Sequence, residues 1–156
     1  MIRGATAEDV DAIAALAQRT REQYQQYERQ FWRISPDAAE VHPLWLGHLI
    51  EDEGTVALVA EENGTFAGYA FATVTFVPPV YDPGATATID DFAVMDDALW
   101  PTIGVELVRE AQVRLRVLKV AQLVVVCAHR DEAKRSMLQG LGLSLGSEWY
   151  VGPVPP

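Results

Sequence analysis

The sequence predicts a single α/β domain built on a mixed sheet flanked by helices. Three observations lead there. Apolar runs of strand length alternate with amphipathic helical stretches in the order β, α, α, β-hairpin, β, α, β, α, β. At 156 residues, 49% hydrophobic and 22% charged, the chain is long enough for one ordinary core. No internal repeat and no linker divides it, so residues 1–152 read as one domain and the Pro-rich residues 153–156 as a tail.

Each element has a local signal. Residues 2–5 read as a short first strand. Thr6 is an N-cap, with Glu8 and Asp9 in the first turn, where the helix dipole favours anions. Val10, Ile13, Ala14, Leu16 and Ala17 follow at helical spacing. The polar run after them continues as helix, read as a second one, with Tyr24, Tyr27 and Phe31 sharing a face. Leu44, Trp45, Leu49 and Ile50 mark a short helix ending before Gly54. Residues 55–62 alternate as a strand, Asn63 and Gly64 make a hairpin turn, and residues 66–77 are the partner strand, with Gly68 a candidate bulge. Turn formers fill 78–85, and residues 88–95 are the next strand. Ile103, Leu107, Ala111, Leu115 and Leu118 mark a helix. The apolar run at 123–128 reads as a central strand covered on both faces. Residues 131–142 read as a helix ending at Gly142, and 143–152 as a final strand.

The net charge of −10 argues against a generic nucleic-acid binder, which needs a basic face, and against an anionic membrane surface. It suits a cationic or neutral substrate by long-range steering, or serves solubility alone. The single cysteine, Cys127, excludes an intrachain disulfide and sits in an apolar run as a small core residue. No basic and apolar leader opens the chain and no apolar run spans a bilayer, so a cytoplasmic location is expected.

The stretch 89–104, IDDFAVMDDALWPTIG, reads as strand, loop and helix start, an order that presents backbone N–H groups to an anion. Asp90 and Asp91 are the general-base candidates. They alternate to opposite faces of their strand, beside apolar Ile89 and Phe92, whose surroundings favour a raised carboxyl pKa. Glu148, beside Trp149, is a weaker one. His42, His48 and His129 have no metal-ligand spacing, so no metal is expected; His129 lies at the C-terminal end of its strand, where open sheets hold ligands. Tyr81, in the loop 78–87, is a recognition candidate.

The element order, together with the opening IRGATAEDVDAIAALA, the hairpin TVALVAEENGTFAGYAFA, the strand end DDFAV, and Gly142 with Leu143, resembles the GNAT superfamily of acyl-CoA-dependent N-acyltransferases over most of the chain. The resemblance implies a mixed sheet of six or seven strands. It also implies transfer of an acetyl group from acetyl-CoA to the amine of a small molecule or peptide, by direct attack after Asp91 or Asp90 takes the amine proton. Phe92, Ala93 and Val94 would pair with pantetheine. The N–H groups around Leu99, Thr102, Ile103 and Gly104 would hold the pyrophosphate, against a helix starting near Pro101. The family's motif, Gln/Arg-x-x-Gly-x-Gly/Ala, falls here on Leu99, Thr102 and Gly104, and only Gly104 matches; Pro101 has no N–H to offer. The family's general-acid tyrosine falls on Leu138, leaving Tyr150 and Tyr81 as phenols elsewhere. Tyr24, Tyr27 and Trp32, with Trp45, would form the acceptor cleft. The alternative is a GNAT-fold binding or regulatory module without turnover. A homodimer is compatible with the sequence, which leaves the oligomer open.

Overall fold

The structure, a computed structural model, describes residues 1–156. Five strands form one sheet in sequential order: β1 (Ile2–Gly4), β2 (Thr55–Glu62), β3 (Thr65–Thr75), β4 (Thr86–Val94) and β5 (Gln122–Val125). Neighbours run antiparallel except β4 and β5, which are parallel. Helices α1 (Val10–Tyr27) and α2 (Ala38–Glu51) cover one face, and α3 (Val105–Val117) and α4 (Glu132–Gly140) the other.

The alternation along the strands builds two cores. Val56, Leu58 and Ala60 of β2, with Ala70 and Ala72 of β3, face α3 and α4. Val59, Tyr69 and Phe71 face α1 and α2, where they meet Ile13, Leu16 and Leu46. The hairpin turn has Asn63 and Gly64 at φ 53° and 77°, the left-handed pair that a tight two-residue turn requires. The bulge in β3 falls on Ala67, one residue before the expected Gly68. Gly68 has another reason to be glycine: a Cβ there would stand 2.8 Å from the Ala93 carbonyl oxygen of β4. α4 ends in a Schellman turn, with Gly142 at φ 83°, its N–H on the Gln139 carbonyl, and Leu143 N–H on the Leu138 carbonyl.

Four expectations change. The run 10–27 is one helix, because its polar residues simply form its solvent face. The second helix starts at Ala38, well before Leu44. The sheet has five strands, and residues 143–152 make no strand. β5 is therefore a half-exposed edge, not a strand buried on both faces, since nothing pairs with its outer side.

β1 is locked to α1 by charge. Arg3 donates two hydrogen bonds to Asp9, at 2.8 and 2.7 Å, and its Nε bonds Glu61 at 2.8 Å. Asp9 also accepts from the Thr6 N–H and hydroxyl, at 2.8 and 3.0 Å. Hydrogen bonds from Arg3, the largest cause, hold the Asp9 carboxyl at about 2, below its ordinary 3.8. A depressed carboxyl stabilises the fold above its unfolded pKa and loses that contribution as pH falls towards the folded value. Asp9→Asn is expected to cost about 1–2 kcal/mol at neutral pH, the half-exposed Arg3 screening the rest. In urea titrations the gap between wild type and variant should close between pH 4 and pH 2.

Candidate active site at the parting of β4 and β5

The β4–β5 ladder stops early. The strands pair from Thr86 with Gln122 to Ile89 with Val125, and Val126 N–H reaches the Ile89 carbonyl at 2.8 Å. β4 continues to Val94 paired only with β3. The parting coincides with a bulge: Phe71 of β3 opposes Asp91, Ala72 opposes Ile89, and Asp90 is the extra residue. The bulge reverses the strand's alternation. Ile89 and Phe92, three apart, therefore face the same core.

Beyond the bulge the Phe92 carbonyl has no strand partner on the β5 side. Lys134 of α4 takes it, with Nζ at 3.1 Å. That side chain is 1% exposed, and its ammonium lies 4.8 Å from the Phe92 ring centre and 5.5 Å from that of Trp100. Burial lowers the Lys134 pKa, against the opposing pull of Cys127, Asp131, Asp91 and Asp90. Asp131 caps α4 through the Lys134 N–H at 3.1 Å and accepts the Tyr24 hydroxyl at 2.8 Å, tying α1 to α4 across the opening. Burial raises the Cys127 thiol to about 11, so it stays protonated and is no nucleophile.

The bulge breaks the simple alternation expected to put the two aspartates on opposite faces, and they differ in exposure instead. Asp90 reaches solvent, yet burial of part of its side chain raises its carboxyl pKa, with the Asp91 charge adding to the effect. Asp91 lies under α1 and α2. It accepts the Tyr69 hydroxyl and bonds His42 Nε2 at 2.9 Å. Arg21 Nη1 lies 3.0 Å from His42 Nδ1. A guanidinium only donates, so Nδ1 must be the acceptor and Nε2 carries the proton given to Asp91. Both ring nitrogens are thus engaged, and His42 serves to hold Asp91.

Tyr24, Tyr27 and Trp32 come together as expected, with the Tyr24 ring centre 5.7 Å from Tyr27 and 5.0 Å from Trp32. Trp45 stands apart, against His48 on α2. Tyr81 projects from its loop into solvent, and Tyr150 is exposed beside Glu148, so neither phenol reaches the opening. His129 is also exposed. Phe92 packs on Trp100, Ala93 faces α1 and Val94 faces α3.

The loop after β4 begins its helical turns at Asp97, before Pro101. The Asp96 carboxylate caps the Ala98 N–H at 2.8 Å. Pro101 then lies inside a π-helical turn over Trp100–Gly104. Leu99 is half-buried and Thr102 exposed, while Ile103 and Gly104 point into the core. Gly104 is glycine because a Cβ would stand 2.6 Å from the Trp100 ring. A cleft of about 240 Å³ opens between α1 and this loop, lined by Arg19, Gln23, Met95, Asp96 and Asp97 among others. Arg19 is its one cation, and donates to the Met95 carbonyl at 2.6 Å.

Sequence reasoning missed Lys134, His42, Tyr69 and Arg21. Lys134 carried a signal: it stands in line with Met137, Leu138 and Leu141, at helical spacing on a buried stripe. The other three carried none.

No protein-family profile and no curated protein sequence matches the chain. Solved structures do. The chain is similar to a tetramutant of the BH1408 protein from Bacillus halodurans, at TM-score 0.83 and 18% identity, over 99% of each chain. It is similar to the aminoglycoside 6'-N-acetyltransferase AAC(6')-IG from Acinetobacter haemolyticus, at TM-score 0.74 and 12% identity, over 100% of this chain and 99% of that one. It is also similar to a predicted acetyltransferase solved with acetyl-CoA from Clostridium acetobutylicum, at TM-score 0.68 and 17% identity, over 98% of this chain and 95% of that one. The strand order and these likenesses agree: the chain has the GNAT fold.

Proposed function

We propose that the chain transfers an acetyl group from acetyl-CoA to the amine of a small molecule or peptide. The observation that carries this reading is the opening between β4 and β5, with an exposed carboxylate of raised pKa on one side and a buried ammonium on the other. Likeness to acetyltransferases, one of them solved with acetyl-CoA, supports it at the level of the fold. The fit to acetyl-CoA is good at the opening, where the Phe92 carbonyl is an acceptor for an extended amide once Lys134 yields it. The fit is partial at the loop, where Arg19 supplies a cation but Asp96 already occupies the Ala98 N–H. Thr102 and Leu99 border that loop; Phe92, Ala93 and Val94 form the strand edge; Tyr24, Tyr27 and Trp32 line the acceptor side.

Acetyl-CoA supplies the thioester. The chain supplies proton transfer. The amine must lose a proton and the departing thiolate must gain one. Of the two aspartates, Asp90 is the better acceptor of the amine proton. It is accessible, and its raised pKa favours proton uptake near neutrality. Asp91 is committed to Tyr69 and His42, which makes it a fixed negative charge that positions the ammonium form of the substrate. Lys134, one helical turn before Leu138, is placed to protonate the thiolate. Its ammonium stands at the strand edge, and a lowered pKa makes it a better acid than a surface lysine.

Asp90→Asn is expected to lower kcat by about 10²–10⁴-fold with little change in the KM for acetyl-CoA. Asp91→Asn should raise the KM of the amine instead. Equal turnover by both variants and wild type removes these carboxylates from the reaction.

Lys134→Met keeps the volume and the buried stripe, so the fold should hold. Wild-type kcat should fall as pH rises through the lowered Lys134 pKa, because the neutral amine donates poorly. The Met variant should be slower near neutrality by a similar factor of about 10²–10⁴ and should lack that basic limb. A variant that retains the limb assigns the proton to another group.

Asp96→Ala frees the Ala98 N–H and removes a negative charge from the loop. Calorimetry with CoA is expected to show affinity rising about tenfold, while the lost cap costs about 1 kcal/mol of stability. Absence of heat at millimolar CoA, in wild type and variant alike, favours the binding-module reading of the fold.

A further inference from the structure

The chain has two lysines. Lys119 is exposed just after α3, whereas Lys134 is buried in α4. A buried ammonium calls for a counter-charge, yet Lys134 makes no ion pair. Its direct partners are the Phe92 carbonyl and two aromatic faces. Charge therefore reaches it from farther off. The titratable groups that face it are Asp90 and Asp91 on β4, Cys127 after β5, and Asp131 at the start of its own helix. Asp90 is open to solvent, which screens its charge. The Asp91 charge is shared with His42 and Tyr69. Cys127 stays a neutral thiol. Asp131 is the remaining carboxylate, and it is itself buried, where a charge is screened least.

Asp131 makes no ion pair either. Neutral donors fix both of its oxygens, Oδ1 by the Lys134 N–H at 3.1 Å and Oδ2 by the Tyr24 hydroxyl at 2.8 Å. Two buried opposite charges thus stand three residues apart at the start of one helix, and neither has an ion-pair partner elsewhere. Burial raises the Tyr24 phenol well above its ordinary pKa, so the hydroxyl keeps its proton and goes on donating through the neutral and basic range. Tyr24 belongs at the same time to the aromatic group with Tyr27 and Trp32. One side chain therefore touches both the proposed acceptor wall and the carboxylate that supports Lys134.

We infer that Asp131 and Tyr24 are positioning residues for Lys134: Asp131 supplies the counter-charge of its ammonium and holds the start of its helix, and Tyr24 fixes Asp131 from the acceptor side. The inference rests on the reading of Lys134 as the group that protonates the thiolate. Neither Asp131 nor Tyr24 needs to touch a reacting atom. The consequence is a division of labour within one tyrosine. Its ring borders the acceptor, while its hydroxyl acts on turnover through Asp131 and Lys134.

The test is NMR of the full chain with lysine carbon-labelled at Cε, read together with steady-state kinetics. Two lysines give two signals; Lys134→Met identifies one, and Lys119 is the internal reference. The Phe92 and Trp100 rings, 4.8 and 5.5 Å from the Lys134 ammonium, set its signal apart from that of Lys119. Asp131→Asn keeps an oxygen for the helix cap and removes the charge. Lys134 should then titrate at lower pH than in the wild type, because Asp131 favours the charged form, and the basic limb of kcat should move down with it. Tyr24→Phe keeps the ring beside Tyr27 and Trp32 and removes the hydroxyl. Its Lys134 signal should move towards that of Lys119, and kcat should fall about ten- to a hundredfold with the KM of the amine unchanged. Should one variant fold poorly, the other still decides. A Lys134 whose signal and titration ignore both substitutions overturns the inference. A Lys134 that responds while kcat and its basic limb stay where they were supports the positioning, and it is the reading of Lys134 as the acid that falls.

Discussion

One extra residue in β4 governs the geometry of the site. The bulge at Asp90 falls at the point where the short β5 ends and β4 loses its partner on that side. With it, the alternation reverses between Ile89 and Phe92, and pairing with β5 stops at the same point. Three consequences follow together. Asp90 is pushed towards solvent, Asp91 is turned under α1 and α2, and the Phe92 carbonyl is left without a strand partner. A parallel ladder that stops midway exposes backbone polar groups inside the protein, which is costly unless something bonds them.

Lys134 meets that cost. A buried ammonium is expensive in itself, and its three donors find one carbonyl and two aromatic faces. A methionine there would pack with its neighbours Met137 and Leu138 at lower cost. A lysine is worth its desolvation where its charge or proton has work to do, which is the role proposed for it at the parting of the strands. Asp131 steadies the arrangement from both sides. It caps α4 with one oxygen and holds Tyr24 of α1 with the other, so the helix carrying Lys134 is fixed to the opposite layer.

Electrostatics divide the two adjacent aspartates into different jobs. His42 and Tyr69 donate to Asp91, and Arg21 donates to His42, whose tautomer is set by a guanidinium that cannot accept. Asp90 has no such retinue and keeps its acceptor capacity for what arrives from solvent. On the loop side, Asp96 behaves as an internal anion, seated on the N–H that a phosphate would use. The acidic character of the whole chain therefore has a local counterpart.

Periodicity and turn chemistry were enough to read most elements. Ile13 and Leu16 on α1, Leu107, Ala111 and Leu115 on α3, the Asn63–Gly64 turn and the Gly142 cap each follow from rules that act within a few residues. The placing of Asp90 and Asp91 was not legible in this way, because the bulge breaks the alternation that a local reading assumes. The reach of local rules ends where the outcome depends on a distant partner. An apolar run such as 123–128 looks the same whether it is central or at an edge, because only the neighbouring strand decides. Residues 143–152 have the composition of a strand but no partner strand, so composition alone cannot make them one. Gly104 matched a phosphate-binding pattern, and only packing reveals that the Trp100 ring fills the space beside it. His42 and Arg21 are separated from Asp91 by 49 and 70 positions, and their convergence is a property of α1 and α2 lying across the sheet. The sequence by itself determined the layers and their cores, through short-range periodicity. The tertiary structure alone decided which charges meet, because that depends on contacts no local pattern encodes.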